Sequence, residues 1–277
     1  MGQFLSRGKE SEKAKREDSF RRKRAPSTTP PFEPTLYKYR NVIIKAGFVH
    51  LESKMSAIAE APKLRKWLDD FKLDEITLKE FVVTDADFFG AIVPARLGFV
   101  KGYGIACDPQ TGVEIPAIAF IRGDAVAVLI VVRVQETGKM YVLLCKQLRF
   151  PAGRTLTEAC AGMVDENSGN VVGVAFNEIK EETGFIVNVN QLIKLGAIRP
   201  SPGGCDEMIH LFAWETTVSE AEFQEKSDKI YGVDEHEKIH LMFQPFETFD
   251  EYVDSLEDAN AECCWRRYLK HPERKLK

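Results

Sequence analysis

Eight consecutive apolar residues, 125–132 (AVAVLIVV), form the longest such run in the chain. A helix needs about 20 apolar residues to cross a bilayer, so this run is a buried strand rather than an anchor. Further strand-like stretches surround it, at residues 76–84, 98–107, 114–122, 124–134 and 140–149. The connections Asp108-Pro109-Gln110-Thr111-Gly112 and Glu136-Thr137-Gly138 carry hairpin chemistry, which predicts a sheet that is largely antiparallel or mixed. Strands are also expected up to residue 198, at 208–218 with Ile209, Leu211 and Ala213 alternating, and at 239–243. Short helices are expected at 62–71, with Leu64, Trp67, Leu68 and Phe71 inward, at 246–256 and at 258–269. Residues 37–51 are ambiguous, and 220–230 reads as a charged, solvated insert.

Helical spacing of Val172, Ala175, Phe176 and Ile179 predicts another helix, stopped by Gly184. On it Glu178, Glu181 and Glu182 stand at i, i+3 and i+4, so three carboxylates crowd one flank. Their repulsion costs only about 0.2–0.5 kcal/mol per pair, and a solvated acidic face is one reading. The other is a hard divalent cation, most simply Mg²⁺, held by carboxylate oxygens and shared with substrate phosphates.

Charge is divided unevenly along the 277 residues. Residues 1–34 hold nine Lys and Arg against five acids, a net of +4, and the total of −4 therefore leaves −8 on the rest. An acidic body argues against nucleic acid as the main partner. The six cysteines, at 107, 145, 160, 205, 263 and 264, show no C-x-x-C spacing and read as reduced packing residues of a cytosolic protein. The opening Met1-Gly2-Gln3-Phe4-Leu5-Ser6 fits the pattern for myristoylation of Gly2. One acyl chain binds membrane weakly, and nearby Lys and Arg strengthen it by about 1 kcal/mol each against anionic lipid. A plain solvated tail, or a nuclear address at Arg21-Arg22-Lys23-Arg24, is the alternative. Residues 27–34 (STTPPFEP) form a proline-rich linker.

The glutamate helix and its surroundings resemble the Nudix hydrolases, whose box reads G, five residues, E, seven residues, R-E-U-x-E-E-x-G-U, with U aliphatic. Gly162, Glu178, Ile179, Glu181, Glu182, Gly184 and Phe185 fall on matching places. Asn177 stands at the arginine position, and the spacing from Gly162 is one residue longer, so no glutamate occupies the box's first position. In the family those two groups form an ion pair that positions the helix glutamates. Residues 146–162 (KQLRFPAGRTLTEACAG) narrow the resemblance to the ADP-ribose and ADP-sugar pyrophosphatases, including plant nucleotide-sugar diphosphatases. That branch implies a phosphate-gripping role for Arg149, a strand glutamate at Glu158, and a metal position for the main-chain carbonyl of Ala161. Cys160 replaces the family proline. The Ser201-Pro202-Gly203-Gly204 loop is similar to one bordering the nucleotide site, making Glu207 a substrate contact. Residues 232–239 resemble the mobile loop that donates a glutamate base, Glu235 first and Glu237 second, while His236 is assigned no role.

Over residues 75–270 the resemblance implies an α/β fold, the Nudix α/β/α sandwich with a mixed sheet. The expected organisation is a disordered basic tail (1–35), a strand-rich subdomain (36–122) and a Nudix domain (123–271). The implied activity is Mg²⁺-dependent cleavage, with Mn²⁺ as a substitute, of a nucleoside-diphosphate sugar to nucleoside monophosphate and sugar phosphate. Metal would sit on Glu178, Glu182 and Ala161, with Glu181 assisting, in a homodimer held at the cytoplasmic face of a membrane. Asn177 and the absent first glutamate favour an alternative, a membrane-tethered nucleotide-sugar binder with little turnover. A structural scaffold is a third reading.

Overall fold

The structure, a computed structural model, describes residues 32–72, 74–164, 171–232 and 238–276. Within the unit Pro34–Lys277 the strands form two sheets. The first comprises β1 (Tyr37–Tyr39), β2 (Val42–Ala46), β3 (Thr77–Phe88), β4 (Leu97–Cys107) and β5 (Ile118–Ile121), in that spatial order. Helices α1 (Met55–Glu60) and α2 (Pro62–Asp69) contribute Met55, Ile58, Leu64 and Leu68 to its core, against Ile44, Phe81 and Val100. Pro62 opens α2 at its first turn, where a missing N–H costs nothing.

The second sheet runs β10 (Ile193–Ile198), β11 (Ile209–Val218), β6 (Ala125–Val134), β7 (Met140–Arg149), β13 (Ile239–Pro245) and β12 (Ile230–Tyr231), with β8 (Arg154–Glu158) on β7 and β9 (Cys160–Met163) on β6. It is mixed, because β11 lies parallel to β6 while β6 pairs antiparallel with β7. Side chains alternate across a strand, so an uninterrupted apolar run must be covered on both faces. That is the arrangement of β6. Ala125, Ala127, Leu129 and Val131 pack with Phe249 and Val253 of α5 (Phe249–Val253) and with Ala261, Cys264, Trp265 and Tyr268 of α6 (Ala259–Tyr268). Val126, Val128, Ile130 and Val132 pack with Val174, Ala175 and Ile179 of α3 (Val171–Thr183). Each fully buried Val or Leu contributes about 1.5–3 kcal/mol, which makes β6 the joint between two cores.

Three local expectations change. The strand expected at 114–122 shortens to β5, because Pro116 lacks the N–H a ladder needs. Residues 37–51 resolve into β1, β2 and part of a 3₁₀ turn, Val49–Lys54. The charged insert is a helix, α4 (Glu220–Asp228), started by Ser219, whose Oγ accepts from Glu222 N at 3.1 Å. It is anchored as well as solvated: Phe223 lies 4.8 Å from the Tyr141 ring and 4.6 Å from Phe243. Lys226 Nζ donates to Thr183 O at 3.2 Å, tying α4 to the end of α3.

Candidate active site

The site is built where α3 lies over β9. Gly184, at φ +66°, ends the helix in the left-handed region that glycine adopts without strain. A Cβ on Gly162 would meet Glu178 Oε1 at 1.9 Å, so the missing side chain of β9 is the space the Glu178 carboxylate fills. One residue earlier, Ala161 N–H donates to Glu182 Oε2 at 3.1 Å, and Cys145 Sγ lies 3.5 Å from the same oxygen. Glu182 is only 4% exposed. Burial raises its carboxyl to about 7, against the opposing effects of the Cys160 thiol, the Ala161 N–H, the Cys145 thiol and the Arg149 charge.

The three glutamates therefore occupy three environments: Glu178 half-buried, Glu182 buried and Glu181 exposed. Asn177, at the arginine place, is exposed. Two carboxylates beside a main-chain strand supply the hard oxygen donors that Mg²⁺ takes, and the glycine cradle leaves room for one of them. Those residues fit such an ion.

Arg149 closes β7, and its Nε donates to Glu158 Oε2 at 2.7 Å. The Arg149 side chain is 38% exposed, so its guanidinium is available to an incoming anion, whereas Glu158 is mostly covered. Behind them stands Asp258, at the start of the helix expected over 258–269. Its Oδ2 accepts from Ala159 N at 2.8 Å and from Ala261 N at 3.1 Å, and its Oδ1 from Asn260 N at 3.0 Å. It thus caps α6 and pins the junction between β8 and β9. Burial raises its carboxyl, while those three N–H groups and the Arg149 charge oppose the rise.

Glu207 belongs to a neighbouring cluster. It pairs with Arg122 at 3.3 Å, and burial raises its carboxyl. Asp206 accepts from Arg122 N at 2.8 Å, and Phe120 N donates to Gly204 O at 2.8 Å, so the Ser201–Gly204 loop is stitched to β5. Between that loop and α2 lies a cavity of about 350 Å³, lined in part by Lys66, Trp67, Phe71 and Arg199. Helical spacing alone marks Trp67 and Phe71 only as inward-facing. Glu235, Glu237 and Gly2 lie outside the described residues.

A family model described as the NUDIX domain matches residues 123–261. The chain belongs to the Nudix family. Among its Nudix relatives, Nudix hydrolase 14, chloroplastic, of Arabidopsis thaliana is 31% identical over 237 residues, 79% of this chain and 74% of the relative. The ADP-ribose pyrophosphatase of Bacillus subtilis (strain 168) is 34% identical over 151 residues, 54% of this chain and 73% of that one. A solved structure described as an ADP compounds hydrolase superposes with a TM-score of 0.51 at 16% identity, covering 74% of this chain and all of that one, a likeness of fold. The matched span runs from the start of β6 through β13 and contains the glutamate helix α3.

Proposed function

We propose that this chain is a Mg²⁺-dependent pyrophosphohydrolase of nucleoside-diphosphate sugars of the ADP-ribose, ADP-glucose or UDP-glucose type, with Mn²⁺ as a working substitute. The observation that carries this is the mutual fit of Gly162 and Glu178, one residue from the Ala161–Glu182 bond. Names of the relatives, an ADP-ribose pyrophosphatase among them, point the same way.

Glu178, Glu182 and the Ala161 carbonyl would hold the metal. When bound, the ion supplies charge neutralisation at the diphosphate and a lowered pKa for the attacking water. Arg149, oriented by Glu158, grips the phosphates through its planar fork and stabilises the charge that develops as the bridging bond breaks. Glu235, with Glu237 as second choice, takes the proton of the attacking water, and Glu181 assists from the solvent side of α3. Glu207, paired with Arg122, contacts the substrate beside the Ser201–Gly204 loop, and the cavity beside Trp67 and Phe71 on the other side of that loop offers a stacking surface for a base. Products are a nucleoside monophosphate and a sugar phosphate.

Residues 123–271 form the catalytic part of this reading and 36–122 a strand-rich subdomain. The outer face of β4 and β5 exposes Tyr103, Ile105, Ile118 and Phe120, an apolar surface that supports a homodimer. Among the described residues no helix is long and apolar enough to cross a membrane. Attachment to the cytoplasmic face would instead use an acyl group on Gly2 and the net +4 of residues 1–34. Loss of vesicle flotation in Gly2→Ala is the expected result, and unchanged flotation removes the anchor.

Incubation of the full chain with ADP-ribose, ADP-glucose and UDP-glucose plus Mg²⁺, beside Glu182→Gln, tests the activity. Monophosphate release that needs both Mg²⁺ and Glu182 is expected. Asn177 in place of the box arginine favours a second reading, a tethered nucleotide-sugar binder, which predicts binding of the same compounds without release.

A further inference from the structure

Cys145 on β7, Cys160 on β9 and Glu182 on α3 converge beneath the glutamate helix, and their ligand atoms all lie within 4.8 Å of one another. All three side chains are buried, both sulfurs completely, and neither thiol is engaged in a disulfide. The three come from three elements, so nothing in local sequence forces them together.

A tetrahedral ion with M–S of about 2.3 Å and M–O of about 2.1 Å has an S···O edge of about 3.6 Å. The Cys145 Sγ to Glu182 Oε2 distance is 3.5 Å. Oε2 also accepts from Ala161 N–H at 3.1 Å, a bond that orients the carboxylate as a neighbouring N–H orients many metal ligands. Three protein ligands leave a fourth position for water.

We propose that Cys145, Cys160 and Glu182 form a binding site for a thiophilic divalent cation of the Zn²⁺ type. Two thiolates and a carboxylate suit such an ion and are poor ligands for Mg²⁺, which takes oxygen donors in octahedral geometry. On binding, each thiol, and the Glu182 carboxyl where it is protonated, gives its proton to solvent; two thiolates and a carboxylate hold the ion, with no change of oxidation state. Because Glu182 belongs to both sets, an ion on the sulfurs withdraws it from the oxygen set. Zn²⁺ would then antagonise Mg²⁺; this consequence, unlike the binding site, rests on the proposed hydrolase reading.

Titration of the reduced, chelator-treated full chain with Co²⁺, the coloured stand-in for Zn²⁺, tests the site. A thiolate-to-metal charge-transfer band in the near ultraviolet is expected, bleached by Zn²⁺, lost in Cys145→Ala and in Cys160→Ala, and retained in Cys263→Ala. Zinc-edge X-ray absorption on the wild-type chain reads the same site without a variant, and two sulfur scatterers at about 2.3 Å are expected. Absence of the band, its persistence in both cysteine variants, or a shell of oxygen and nitrogen alone overturns the site. Inhibition by Zn²⁺ without a sulfur signature would also overturn it, by assigning the ion to the oxygen ligands. A sulfur signature in a chain that releases no monophosphate with Mg²⁺ would uphold the site and reject the hydrolase reading.

Discussion

Gly162 and the Glu178 carboxylate share one space, since a Cβ on the glycine would stand 1.9 Å from both Cδ and Oε1 of the glutamate. The clash is with the far end of a flexible side chain, so Gly162→Ala should be relieved by swinging Glu178 away rather than by unfolding. Mg²⁺-dependent hydrolysis should fall at least about tenfold, ~1.4 kcal/mol of activation free energy, with a melting temperature near that of the wild type. A variant that keeps full turnover would show that the position of Glu178 is unimportant.

If Glu182 holds metal as proposed, the binding should depend on pH. Its carboxyl is raised from 4.5 to about 7 by burial, so the metal-free fold keeps a proton that the unfolded chain has already lost. This group's contribution to stability is complete below about 4.5 and is lost as pH rises through about 7. An ion that needs the ionised form must displace that proton at low pH. The increase in melting temperature caused by Mg²⁺ should therefore be larger at pH 8 than at pH 6, and Glu182→Gln should flatten the difference. Equal increments in the wild-type chain would contradict it.

Arg149 tests the phosphate grip. Its bond to Glu158 is partly exposed, so Arg149→Ala should cost less than about 1 kcal/mol in denaturant unfolding. In turnover it should raise KM about tenfold. Arg149→Lys should recover little of this, because a point charge cannot present two parallel donors.

Asp258 is structural. Removing an N-cap that also holds Ala159 should cost about 1–3 kcal/mol in Asp258→Ala, measured by urea unfolding. Asp258→Asn, which keeps an acceptor oxygen, should lose less. If both variants unfold like the wild type, the pin between α6 and the β8–β9 junction is not what holds that junction.

The outer face of β4 gives the oligomer prediction. Sedimentation should find the wild-type chain dimeric, and Ile105→Asp should shift it to monomer. A monomeric wild type would reject the pairing.

Much of the fold is legible in the sequence. The bounds of β7 match the expected 140–149, and β6 begins one residue inside the expected 124–134, because apolar content and turn residues agree there. What could not be read was long-range. Asp258 and Ala159 are 99 residues apart, and no local pattern announces their bond. The i, i+3, i+4 spacing put three glutamates on one flank, yet only the packing of β9 against α3 separates buried Glu182 from exposed Glu181. The cysteines at 145 and 160 read as packing because each, taken alone, sits in an apolar stretch. Their meeting with Glu182 depends on β7 and β9 both bordering β6.

The hydrogen bonds that tie Gly204 to Phe120 and Asp206 to Arg122 bear on where this protein can be cut. A truncated form starting at residue 123, where the family match begins, would retain every carboxylate of α3 but forfeit the edge that carries the Ser201–Gly204 segment. Such a fragment should fold its own sheet and hold metal while handling the sugar nucleotide poorly. The family match alone would then mark out less of the chain than turnover requires.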